Sequence, residues 1–120
     1  VTTATITFSQ PAKRLSMNDR MHWAPKAKLT HEWRTAAHCA AAHLGEFPPA
    51  TVHVTFPVRD KRRRDPHNTA PTVKAIVDGL VDAGVWPDDT DQYVVVMDPT
   101  FSKETTDVIV ELRARDWGLS

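Results

Sequence analysis

Thr51-Val-His-Val-Thr-Phe-Pro-Val58, then Arg59-Asp-Lys-Arg-Arg-Arg-Asp-Pro-His-Asn-Thr-Ala-Pro71, then Thr72-Val-Lys-Ala-Ile-Val-Asp-Gly-Leu-Val-Asp-Ala-Gly84: this stretch decides the architecture. Val52, Val54, Phe56 and Val58 alternate with Thr51, His53 and Thr55, the two-residue period of a strand with one covered face. Pro71 suits the first turn of a helix, where a backbone N–H has no intrahelical partner to lose. Val73, Ile76, Val77 and Leu80 recur at helical spacing as a buried stripe, and Gly84 stops the helix. Lys74, Asp78 and Asp82 follow at i, i+4 steps on the opposite side.

Reading outward, Ala4 to Phe8 alternates as a short strand with Ile6 and Phe8 on one face. Gln10 to Lys28 has no clean period and reads as a long loop, a length that in compact domains often serves function. Leu29 to Leu44 is alanine-rich, with Trp33, Ala36, Ala37, Ala40, Ala41 and Leu44 at helical spacing. Thr30 is the expected N-cap and Gly45 the expected stop. Glu46 to Ala50 is a proline-bearing connection. Tyr93 to Met97 and Asp107 to Leu112 read as two further strands. The expected fold is α+β: a small mixed sheet with two principal helices in the order β-α-β-α-β-β, forming a single domain over residues 1–120.

The chain has 120 residues, 15 Lys plus Arg and 15 Asp plus Glu, for a formal net charge of zero. That length can bury a core without disulfides. The single Cys39 forms no internal bridge, and no apolar run is long enough to span a bilayer. Val1 opens directly into alternating sequence without a leader pattern, so the expected location is the cytoplasm. Zero net charge argues against coating nucleic acid by bulk charge. The distribution says more: Arg59, Lys61, Arg62, Arg63 and Arg64 are crowded together, a local cationic run able to steer a phosphate.

Chemistry concentrates between Lys61 and Asp91. Asp65, His67 and Asn68 lie just past the end of the 51–58 strand, and Asp88 and Asp89 lie where the second helix has returned the chain to the sheet. Both clusters are therefore expected at one edge of the fold. Carboxylates converging there would hold a hard cation such as Mg²⁺, which lowers the pKa of a bound water and neutralises transition-state charge. Lys74, on the intervening helix, would stabilise developing negative charge on phosphate. Each element also has an ordinary role, since Asp-Pro-His-Asn and Pro-Asp-Asp-Thr are turn chemistry and a Lys74–Asp78 pair suits a helix surface.

Arg62-Arg-Arg-Asp-Pro-His-Asn68, Lys74-Ala-Ile-Val-Asp-Gly-Leu80 and Ala83-Gly-Val-Trp-Pro-Asp-Asp89 together resemble the core signature of RusA-type Holliday-junction resolvases, a family found mainly in bacteriophages and prophages. The resemblance is tight over residues 59–94 and looser over Leu15 to Trp33, where Asn18, Arg20 and Arg34 fit the family's polar N-terminal segment. Beyond Met97 only strand pattern and length agree. The resemblance implies a small homodimeric α+β endonuclease that binds four-way DNA junctions and nicks two strands symmetrically with Mg²⁺ or Mn²⁺, in a bacterial host cytoplasm if phage-encoded. It places the essential acids on Asp65 and Asp89 with Asp88 as companion, the catalytic lysine on Lys74, and the family asparagine on Asn68. Arg59, Lys61, Arg62, Arg63, Arg64, Asn68 and Arg20 would form the DNA-binding set.

The chain departs from that signature twice. His67 stands where a second acid is expected, and it is open to three roles: metal ligand, with a preference for Mn²⁺ over Mg²⁺; general base; or inert replacement. Thr69-Ala70-Pro71 is inserted between Asn68 and the helix, so the assignment of Lys74 rests on a gap. The alternative function is a branched-DNA-binding module without catalysis, for which His67 in place of an acid is the favouring feature; a protein-interaction domain with merely solvated charges is a further rival. Trp86 is expected to anchor the Pro87-Asp88-Asp89 turn in the core. Trp23 is expected to pack beneath the long loop, and Cys39 to be a buried small residue.

Overall fold

The computed structural model describes residues 2–17, 23–60 and 64–115. The elements run β1 (Thr3–Phe8), α1 (Trp23–Ala41), β2 (Ala50–Pro57), a 3₁₀ turn (Pro66–Thr69), α2 (Ala70–Asp82), β3 (Val94–Val96), β4 (Thr100–Ser102) and β5 (Val108–Ala114). The expected α+β order holds, with one short strand, β4, in addition. That strand is only three residues long, too short for an alternating pattern to register in the sequence.

The five strands form one mixed sheet ordered β1-β5-β2-β3, with β4 also beside β2. β2 pairs antiparallel with β5 and parallel with both β3 and β4, so β3 and β4 follow one another along the same side of β2. The connection from β2 to β3 passes through α2, the crossover that a parallel pair requires. Burial along β2 alternates without exception: Ala50, Val52, Val54 and Phe56 are buried, while Thr51, His53, Thr55 and Pro57 are half-buried. Strand β5 follows the same rule through Val108, Val110 and Leu112. The covered face packs Trp33 and Ala37 of α1 and Val73, Ile76, Val77 and Leu80 of α2 into a continuous core.

The two helices meet at Gly79. A Cβ there would lie 2.3 Å from the Arg34 carbonyl oxygen and 2.9 Å from the Ala37 Cβ, so only glycine permits this approach. Beside the contact, Arg34 donates from Nε (2.5 Å) and Nη2 (2.8 Å) to the Asp82 carboxylate.

Helix α1 begins at Trp23, six residues earlier than the apolar periodicity suggests, because its first two turns are almost wholly exposed and carry no buried stripe. Thr30 is therefore inside the helix, where its hydroxyl donates to the Lys26 carbonyl at 2.9 Å instead of capping. Trp23 is 82 % exposed and Cys39 is exposed; neither is packed as expected. Trp86 is buried as expected, and its indole N–H donates to the Pro48 carbonyl at 2.9 Å. Among the described residues no helix is long and apolar enough to cross a membrane.

Candidate active site at the start of the second helix

Past Pro57 the chain leaves the sheet and re-enters regular structure through a turn built by Asp65. The Asp65 carboxylate accepts the His67 backbone N–H at 3.0 Å, the local bond that makes aspartate a turn and cap residue. The Thr69 hydroxyl donates to the Pro66 carbonyl at 2.7 Å, closing the 3₁₀ turn that feeds Ala70 and α2. From the other side the Asn68 carbonyl accepts the Met17 N–H at 3.0 Å. Two residues earlier, Leu15 is held by Thr72: its N–H donates to the Thr72 hydroxyl oxygen at 2.8 Å, and its carbonyl accepts from that hydroxyl at 2.9 Å. The polar N-terminal segment is thus bonded to the turn that carries the Asp65 cluster.

Lys74 lies one turn into α2 on its exposed side. Its ammonium donates to Asp78 at 2.8 Å and also to the Asp89 carboxylate, which the chain brings back after the helix. Asp89 is held in turn by its own loop: the buried Trp86 fixes the approach, and the Asp88 carboxylate accepts the Asp89 N–H at 2.7 Å. The Asp78 and Asp89 hydrogen bonds raise the Lys74 pKa above its ordinary value, and Lys74 holds the Asp89 carboxyl below the usual carboxylate range. Both groups are therefore charged throughout the neutral range.

His67, Lys74 and Asp89 line one depression of about 250 Å³, together with Asp98 from the segment between β3 and β4. Its remaining walls are apolar, with Val73 and Val77 from α2 facing Val96 and Met97 from the sheet edge. Low-polarity walls around a few charged groups raise the strength of electrostatic interactions at the mouth.

The two clusters marked in the sequence thus meet at one edge, through His67 on one side and Asp89 on the other, with Lys74 between them. Asp65 and Asp88 each neighbour a lining residue in sequence, but each uses carboxylate oxygen on the backbone of its own turn. Among the described residues no three His, Cys, Asp or Glu side chains stand close enough together to hold a metal ion. Arg59 is exposed, and Arg64 is paired with Asp60 at 2.9 Å. Arg34 is committed to Asp82 between the helices. Arg20, Lys61, Arg62 and Arg63 lie outside the described residues, as does Asn18. Asp98 was missed because Asp-Pro after a strand reads as simple turn chemistry; its place next to a parallel edge strand was the available signal. No protein-family model matches this chain, and no curated protein matches it.

Proposed function

We propose that this chain is a metal-dependent, structure-specific endodeoxyribonuclease that resolves four-way or otherwise branched DNA by paired nicks, acting as a homodimer. The observation that supports the reading most is the Lys74–Asp89 pair at the mouth of a depression shared with His67, formed by residues that also carry the resemblance to RusA-type resolvases. Lys74 is the phosphate-facing cation: its raised pKa keeps it protonated while charge builds on the phosphoryl oxygens. Asp89 orients that ammonium from across the depression. His67, exposed at the rim, supplies an imidazole nitrogen able to accept a proton from the attacking water. Arg59 and Arg64 hold backbone phosphates and position the DNA without reading its bases.

Mg²⁺ or Mn²⁺ would supply water activation and charge neutralisation in such a reaction. The oxygen donors Asp65, Asp88 and Asp89 have the right hardness to hold it, but as arranged they do not form a three-donor set. The same observation favours a second reading, a branched-DNA-binding module without cutting.

A synthetic four-way junction, labelled at each 5′ end and incubated with Mg²⁺, with Mn²⁺ or with chelator, decides between them. The expected result is metal-dependent nicking that Asp89→Asn abolishes while junction binding persists. Binding without nicking under either metal establishes the binding module. No binding even at low salt removes both readings.

A further inference from the structure

Outside the depression lined by His67, Lys74 and Asp89, a second cationic feature sits on β4. Arg14 places its guanidinium 5.7 Å from the ring centres of both Phe56 and Phe101, and Arg64 places its own 5.9 Å from the Phe101 ring. Two like charges on one aromatic ring are costly unless something holds them there. The protein supplies that hold. The Arg14 backbone is flanked on one side by the Lys13 carbonyl, which accepts the indole N–H of the buried Trp33 at 3.0 Å. On the other side Leu15 makes its two buried bonds to Thr72. Trp33, Phe56 and Phe101 stand in successive ring contact at 5.9 Å, so the platform under the arginines is continuous with the core. Burial, and next the Arg64 charge, depress the Arg14 pKa; the pair is under electrostatic load.

Arg64 and Phe101 also line a depression of about 400 Å³ with Ser102, Lys103, Asp60 and Glu104. Asp60 pairs with Arg64 at 2.9 Å, Lys103 and Glu104 bring one charge of each sign to the same lining, and Arg14, which donates from Nη1 to the Pro57 carbonyl at 3.5 Å, adds its charge from the other approach to the Phe101 ring. A preorganised planar cation pair next to a hydroxyl and a lysine is the chemistry that recognises a phosphate. Asp98 lines the first depression and Ser102 the second, four residues apart along the segment that leads into and through β4. At ~3.3 Å per residue of extended chain they lie at most roughly 13 Å apart, a span that a few successive nucleotides of one strand cover.

We infer that Arg14 and Arg64, stacked on Phe101, form an anion site that takes a backbone phosphate of the DNA strand whose scissile phosphate lies at Lys74. The inference rests on the nuclease reading for the source of the phosphate, though not for the site. Its test has two arms. Inorganic phosphate is titrated into the full chain while the arginine side-chain Nε–H resonances are followed by NMR. Arg14 and Arg64 are expected to shift together and saturably, with exposed Arg113 as the unmoved control. A response no greater than that of Arg113 overturns the site.

In the second arm, junction affinity is measured against salt for wild type, Arg14→Gln and Arg14→Lys. Arg14→Gln is expected to lower the slope of log K on log salt by about 1, and Arg14→Lys to keep it. An unchanged slope in Arg14→Gln, even with a lower unfolding midpoint, marks a structural arginine and overturns the inference while the nuclease reading stands. A phosphate response with no DNA binding by wild type supports the anion site and ends the nuclease reading instead.

Discussion

At the residue scale, Lys74 and Gly79 stand five positions apart on one helix and answer to opposite demands. Lys74 is exposed, and its ion pairs are screened by water, so it contributes little to folding. On the nuclease reading, Lys74→Met is therefore expected to leave the urea midpoint almost unmoved while junction cleavage disappears; equal loss of both would make it a structural residue. Gly79 is the reverse. Alanine in a helix interior is ordinarily favoured over glycine by about 0.5–1 kcal/mol, but here its Cβ would meet backbone of α1. Gly79→Ala is expected to destabilise by about 1–3 kcal/mol, the usual cost of overpacking, with cleavage retained in the folded fraction. Lys74 and Asp89 were legible as candidates from charge and order alone. Gly79 was not, because glycine in a helix announces a close approach only once the neighbouring helix is known. Arg14 was equally silent, since cation–aromatic stacking across 42 and 87 residues of sequence leaves no local pattern.

At the element scale, the join between α1 and α2 carries a pH dependence. Arg34 holds the Asp82 carboxyl below its usual value of 3.8, chiefly through their hydrogen bonds. The unfolded chain therefore binds a proton on Asp82 at a higher pH than the folded chain does. The pair's contribution is complete above the unfolded value and is lost as pH falls through the lower folded one. Thermal midpoints of wild type and Asp82→Asn are expected to differ by a constant amount from pH 5 upward, at roughly one unit above the ordinary value, and to converge on acidification below 3.8. A gap that persists in acid would mean the asparagine acts by something other than charge. The link between the N-terminal segment and α2 is of another kind, since Thr72 is fully buried and serves both the N–H and the carbonyl of Leu15. Thr72→Val leaves both backbone groups unpartnered, at about 1–3 kcal/mol, and is expected to show it in chemical denaturation. The elements packed on the core were read correctly in kind from periodicity. The first turns of α1 and the strand β4 were not, because neither presents an apolar face of its own.

At the scale of the whole molecule, both helices pack on the same face of the sheet, and its parallel edge, β3 and β4, borders the depression that holds Lys74 and Asp89. That placement follows from topology: a parallel β2–β3 pair forces α2 to cross over, and the crossover carries Lys74 past the sheet edge to which the Trp86 turn delivers Asp89. The order of elements was legible in the sequence; the pairing of β2 with β5 in its middle was not, because register is set by which faces are buried together. The single Lys74–Asp89 pair in each chain has a consequence for resolution. Converting a four-way junction into two ligatable duplexes takes two matched cuts, and one chain has one Lys74–Asp89 site. On the nuclease reading, a two-fold pair of chains is the arrangement that supplies both sites in matched orientation. Sedimentation equilibrium is then expected to give twice the 13.4 kDa chain mass at the concentrations where cutting is measured. A supercoiled plasmid extruding a cruciform separates paired from unpaired cutting: two cuts within one encounter yield linear product directly, whereas independent single nicks release the supercoil, reabsorb the cruciform and stop at open circles. Mixing wild type with Asp89→Asn before adding plasmid is expected to convert linear product to open circle in proportion to the mixed dimer, and a monomer that still linearises the plasmid would show that a single chain achieves both cuts in turn.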